Sequence, residues 1–260
     1  MKKLVCLILS LVLVCSMASI AFAAPAEEDD GDVVIYLTRH GETMFNILGR
    51  NQGWSDTPLT ENGIAVAAAL GAALSEDGVE IDAFYSGDLS RQRETAKAIM
   101  EAMGVPYSEL NENPDLREVC FGSSEGESSA IIAKMLMDEY ELTDTIEIYT
   151  VLGVNVLLDK FVEIDQIGMA ETFEEATARI VLAMDEIVAD AQANGYDAVM
   201  AVSSGMIIAF LNAVYGTETV LDVPNCSITK VVYHDGEYSI EYVADTSELE
   251  KGLELIGAAE

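Results

Sequence analysis

The stretch that most constrains this chain is Val33-Val34-Ile35-Tyr36-Leu37, which runs straight into Thr38-Arg39-His40-Gly41-Glu42-Thr43. Apolar residues rich in β-branched types read as a buried strand. A strand that ends in Arg-His-Gly sets an imidazole and a guanidinium at the carboxyl edge of a sheet. Open α/β sheets bind their ligands at that edge. Gly41 lets the backbone turn there or approach a ligand closely.

The rest of the chain alternates in a way that fits such a sheet. Thr60 is read as the N-cap of an alanine-rich helix to about Ser75, with Glu61 suited to its positive end. Ile81 to Tyr85 reads as a second strand, and Asp88 as the N-cap of a helix reaching about Met103. Val105 to Tyr107 reads as a short strand. Residues 123–170 are apolar in patches without a motif, and an insertion of that length reads as a helical cap over the site. Ala170 to Ala191 reads as a long amphipathic helix. Ala198 to Val202 reads as a third core strand leading into Ser203-Ser204-Gly205 and a helix to about Tyr215. Ile228–Tyr233 and Tyr238–Val243 flank His234-Asp235-Gly236, an Asp-Gly hairpin signal. The tail from Ser247 reads as a terminal helix. Strands alternating with helices imply an α/β fold, one domain over 33–245 with a tail at 246–260.

Charge limits the partners. The formal net charge is −33, from 46 acidic against 13 basic residues. Such a surface repels nucleic acid and anionic membranes, and any anion site must be a local basic pocket. Each arginine is therefore informative. Arg91 falls in the first turn of its helix, where the dipole disfavours a cation by about 0.3–1 kcal/mol. A bound anion beside it would explain the placement; a surface pairing with Glu94 or Asp88 is the plainer reading. The chain has only two histidines, His40 and His234, which excludes a histidine-rich metal site. A carboxylate-bound hard cation is left open, and no cofactor is implied.

Met1-Lys2-Lys3, an apolar run to Ile20 and Ala21-Phe22-Ala23 form a secretory signal pattern, with cleavage after Ala23. This implies a secreted or envelope location, an uncleaved membrane anchor being the alternative. Cleavage removes two lysines and no acid, moving the charge from −33 to about −35. Residues 24–32 then form an acidic, solvated leader. Cys120 and Cys226 would remain, with their pairing left open; oligomeric state is not readable.

Arg39-His40-Gly41-Glu42-Thr43, with Asn46, Gln52-Gly53-Trp54-Ser55-Asp56 and Pro58-Leu59-Thr60 behind it, resembles the histidine phosphatase superfamily, in its phosphoglycerate mutase-like branch. Ser86-x-Asp88-Leu89-x-Arg91 and Leu116-Arg117-Glu118 with Phe121-Gly122 continue the resemblance. It implies a three-layer sandwich with a mostly parallel central sheet. It also implies phosphomonoester hydrolysis without a metal: His40 as nucleophile forming phosphohistidine, Arg39 and Arg91 as phosphate clamps, Glu118 as proton donor. Asn46, Gln52 and Gly53 would be phosphate-side or substrate contacts. Glu171 and Arg179 match the helix after the cap, where an amphipathic structural role is equally open. The partner is then a small phosphate ester, weakly charged given the acidic exterior, and not a highly phosphorylated inositol.

One position departs from the pattern. The resemblance calls for a second histidine after the third core strand, where this chain has Val202-Ser203-Ser204-Gly205. Ser204 donates one hydrogen bond and carries no positive charge. Gly205 still offers backbone N–H groups at a helix start. The chain is thus read as a phosphatase weakened at Ser204, or as a phosphate-ester-binding pseudoenzyme. Two further readings are a phosphoglycerate mutase, which export opposes, and a serine hydrolase built on Ser203-Ser204-Gly205 with Asp222 and His234.

Overall fold

The computed structural model describes residues 31–216, 220 and 222–257, so the signal segment and residues 24–30 lie outside the described residues. Six strands form one sheet in the order β3-β2-β4-β1-β5-β6: β1 Val33–Arg39, β2 Ala83–Ser86, β3 Leu110–Glu112, β4 Ala198–Ser203, β5 Ile228–His234 and β6 Glu237–Asp245. The strands β3, β2, β4 and β1 pair in parallel, while β5 and β6 add an antiparallel edge. Helices cover both faces, so the α/β sandwich with a mostly parallel sheet holds.

The strand β1 alternates as a two-faced element should. Val33, Ile35 and Leu37 enter the core beneath the helices α6 (Phe173–Asn194) and α7 (Gly205–Tyr215). Tyr36 faces the other way, toward the helices α2 (Glu61–Glu76), α3 (Ser90–Met103) and α8 (Ser247–Ile256). A short helix, α1 (Met44–Leu48), follows the signature loop. Between β3 and α6 lie α4 (Ser129–Tyr140), a π-helical turn at Ile148–Leu152 and α5 (Val154–Ile164).

Three local expectations need correction. Residues 105–107 are not a strand: Pro106 lacks the N–H a ladder needs and instead heads a 3₁₀ turn at Tyr107–Glu109, with the strand following at 110–112. The helix α6 starts at Phe173, because Thr172 and Glu175 close a capping box there. Asp88 is not the cap of α3. Leu89 holds that position, and the exposed backbone N–H of Ser90 goes to Asp56 Oδ2 at 2.5 Å. Asp88 faces Arg117 through a two-point ion pair.

Candidate active site

The carboxyl ends of β1, β2 and β4 meet on one edge, and the sequence signature sits there. Arg39 pairs in register with Ser203, and His40 continues the ladder by donating its backbone N–H to Ser203 O at 3.0 Å. The strand thereby delivers His40 and Ser204 to adjacent positions. Asn225 Nδ2 holds His40 O at 2.7 Å, fixing the main chain from the far side.

His40 is 3% exposed. Its Nδ1 lies 2.8 Å from Gly41 O. A carbonyl only accepts, so Nδ1 carries the proton and Nε2 keeps its lone pair. Burial, then the charges of Arg91 and Arg39, hold its pKa well below the usual imidazole value. The result is a neutral imidazole with one defined nucleophilic nitrogen.

Arg91 is fully buried. It pairs with Asp56, at 3.2 Å, and not with Glu94 or Asp88. Its Nη1 also donates to Ser55 O, and its Nη2 to Gly53 O at 2.7 Å and Gln52 O at 3.3 Å. Those contacts use the outer fork and leave buried Nε–H without a partner. Arg39 is similar: Nη1 donates to Val223 O at 2.5 Å, and its Nε–H is buried and unpaired. Burial lowers the pKa of both, against the opposing pull of Glu118 and, for Arg91, foremost Asp56. Buried orphan donors are rare in folded proteins; two beside one neutral imidazole suit an anion.

Glu118, 7% exposed, completes the set. Its Oε1 accepts from Val119 N at 2.9 Å and Ile207 N at 3.3 Å, and its Oε2 from Met206 N at 3.1 Å. Burial raises its pKa, and these backbone donors and the two arginines oppose the rise. The carboxyl thus stands at the start of α7, near both guanidiniums.

Ser204 is fully buried and its Oγ accepts from Gln92 Nε2 at 3.1 Å. Its hydroxyl proton has no acceptor among the described residues. A Cβ at Gly205 would stand 3.3 Å from Arg39 Nε, so this close approach favours glycine. At Gly53 a Cβ would lie 2.1 Å from Val119 O. Gln52 and Gly53 hold Arg91 through backbone carbonyls. The Gln52 amide is tied to Thr43 Oγ1 at 2.6 Å and Thr57 Oγ1 at 3.0 Å. Asn46 Oδ1 accepts from Thr43 N and so caps α1.

Several positioning residues escaped the sequence reading. The Glu125 carboxylate accepts from Gly53 N, Trp54 N, Ser55 N, Ser55 Oγ and Phe121 N, at 2.6–3.0 Å. It pins the loop that cradles Arg91. Gln92 and Asp56 likewise carried no signal beyond their place in motifs. Arg179 forks onto Glu171 and donates to Asp115 O, Arg117 O and Glu118 O, while Glu171 takes Cys120 N. This pair frames the segment that carries Glu118.

The serine-hydrolase arrangement is absent. Ser203 Oγ donates to Leu116 O and Ser204 meets Gln92. His234 pairs with Asp32 at the opposite end of β1, roughly 20 Å from His40 at about 3.3 Å per residue. Cys120 and Cys226 are both buried and unpaired.

A cavity of about 600 Å³ opens beside Arg39, Glu118 and Gly205, and Tyr149, Gly153, Val154 and Asn155 form part of its wall.

The model of the histidine phosphatase superfamily (branch 1) matches residues 35–246. A curated 2,3-bisphosphoglycerate-dependent phosphoglycerate mutase from Methylocella silvestris is 33% identical over 108 residues, 42% of this chain and 52% of that protein. The chain thus spans about half the length of the curated relatives it matches. The crystal structure of phosphoglycerate mutase from Bacillus anthracis is similar at TM-score 0.78 and 33% identity, over 87% of this chain and 99% of that one. A Bacillus stearothermophilus structure, YhfR, is similar at TM-score 0.63 and 27% identity, over 84% and 99%.

Proposed function

We propose, from the premise that this chain belongs to the histidine phosphatase superfamily, that it hydrolyses phosphomonoesters through a phosphohistidine on His40. The observation that carries the reading is the neutral His40, its Nδ1–H fixed on Gly41 O, between two buried guanidiniums with unpaired Nε–H donors.

Each residue then has a role that its surroundings suit. Arg39 and Arg91 take the equatorial phosphoryl oxygens. His40 Nε2 attacks phosphorus in line, and the P–O bond to the alcohol breaks. Glu118, whose protonated form burial favours, gives its proton to the leaving oxygen. The resulting carboxylate then takes a proton from water as the water attacks the phosphohistidine. Phosphate departs and Glu118 and His40 return to their starting forms.

Ser204 stands in this reading where the family pattern has a second histidine. Its free hydroxyl proton supplies one hydrogen bond to a phosphoryl oxygen and no charge. Loss of one charged transition-state contact costs about 10²–10³ in rate. Hydrolysis is therefore slow, and a binding protein without useful turnover is the second reading, favoured by Ser204 alone. Transfer to a phosphoglycerate acceptor is disfavoured, because among the described residues no cation besides Arg39 lines the cavity where a second anionic group would sit.

Hydrolysis of p-nitrophenyl phosphate by the parent, His40→Ala and Ser204→His tests this. We expect slow turnover in the parent, none with His40→Ala, and a gain of about 10²-fold with Ser204→His. Activity only in Ser204→His would favour the binding protein. Equal rates in the parent and His40→Ala would refute the reading. We also propose that residues 1–23 direct export, to be checked by the amino-terminal sequence of protein recovered outside the cytoplasm.

A further inference from the structure

The cavity beside the phosphate site carries its own chemical signature. One wall is apolar: Met206 and Phe210 from α7 and Val154 from the start of α5. Tyr149 and Asn155 add a hydroxyl and an amide, and Asp222 adds a carboxylate. Among the described residues Arg39 is the only lysine or arginine that reaches the wall, and in the proposed reading its charge is committed to the phosphate. The cations of the segment above the cavity are already paired: Lys134 with Asp138 on α4, and Lys160 of α5 with Glu139 of α4 and Glu163 of its own helix. Arg117 and Arg179 are held by Asp88 and Glu171.

Asp222 has no ion-pair or hydrogen-bond partner among the described residues, yet it faces the groups that matter. Its charge acts on Arg39 and, after burial, on the Tyr149 hydroxyl. A carboxylate left open on a cavity whose sole cation serves phosphate repels an anionic leaving group. The overall charge of −33 repels it further. An alcohol that carries an ammonium reverses both terms. The nitrogen meets Asp222, the carbon skeleton lies on Phe210 and Val154, and the ester arrives with a smaller net charge.

We infer that the cavity selects phosphomonoesters of amino alcohols, with the ammonium group seated against Asp222. This rests on the phosphate-site reading above and adds the class of the leaving group. A charge-assisted contact of this kind discriminates by roughly tenfold or more.

The test measures binding, so that slow turnover does not obscure it. Calorimetric titration of His40→Ala, and of His40→Ala with Asp222→Asn, uses inorganic phosphate, glucosamine 6-phosphate, glucose 6-phosphate and 3-phosphoglycerate. The amino sugar ester should bind about tenfold more tightly than its neutral counterpart, and 3-phosphoglycerate should bind weakest. Adding Asp222→Asn should bring the two sugar esters to within twofold of each other. Asp222 is exposed, so the substitution leaves packing intact. Equal affinity for the two sugar esters, or a gap that survives Asp222→Asn, would overturn the inference while leaving the phosphate site standing. No binding of any ligand, inorganic phosphate included, would overturn the phosphate site and the inference together.

Discussion

The surroundings of His40 favour its neutral form. Burial and two nearby arginines oppose its protonation, while burial favours the protonated form of Glu118. The two shifts run in the directions a nucleophile and an acid require. Nucleophilic His40 is present above its lowered pKa and lost as pH falls through it; protonated Glu118 is present below its raised pKa and lost as pH rises through it. The profile of kcat/KM against pH should therefore be a bell, its acid limb below the usual imidazole range and its alkaline limb above the usual carboxylate range. Glu118→Gln should lower the rate and flatten the alkaline limb alone. An alkaline limb that persists in Glu118→Gln would assign it to another group. The same depressed imidazole sets a stability term: it is present above the unfolded histidine pKa, near 6.5, and lost as pH falls toward the folded value. His40→Ala should thus lose less stability on acidification than the parent, read by thermal melts across that range.

The elements around these residues differ in how far the sequence revealed them. The strand β1 and the Arg-His-Gly at its end were legible, because a buried strand needs a continuous apolar run and the chemistry begins where the run stops. Arg91 was legible as an anomaly, a cation at a helix start; its true partner, Asp56, lies in a loop that only the tertiary fold brings near. Asp88 and Asp56 show the difficulty in small form. Both are carboxylates of the right type near α3, and only the position of the 53–56 loop decides which one caps it. Glu125 was lost among 46 acidic residues, since its five donors come from segments up to 72 positions away. Glu125→Ala would leave partly buried donors without their partner, at about 1–3 kcal/mol for each that water does not reach. We expect a loss of about 3 kcal/mol in denaturant unfolding, with activity falling more than stability alone explains as Arg91 loses its cradle. Arg179→Ala breaks a largely buried ion pair, a change worth about 3–5 kcal/mol. It should also lower kcat by freeing the Glu118 segment. An unchanged unfolding midpoint in either variant would contradict the positioning roles given to them.

At the scale of the molecule, a strongly acidic surface surrounds a site built from two buried arginines. The α/β class was legible from alternation alone, while the sandwich around a mostly parallel sheet, whose two faces helices must cover, came only with the family resemblance. The segment at 123–170 was not, beyond its helical character: its apolar patches serve the cavity as well as the core, and no periodicity separates the two uses. Long-range repulsion slows capture of a dianionic ester, and salt screens it over about 8 Å at physiological ionic strength. The kcat/KM for p-nitrophenyl phosphate should accordingly rise with added sodium chloride; a steady fall would mean that the local field of Arg39 and Arg91 governs capture. Everything in the account depends on a phosphoryl group passing through one nitrogen. The direct measurement is acid-free quenching of the intact chain after mixing with a phosphorus-labelled ester, followed by mapping of the label. Label is expected on the peptide that holds His40, stable to alkali, lost in acid and absent from His40→Ala. Turnover without labelled protein, at the same rate in His40→Ala, would contradict it.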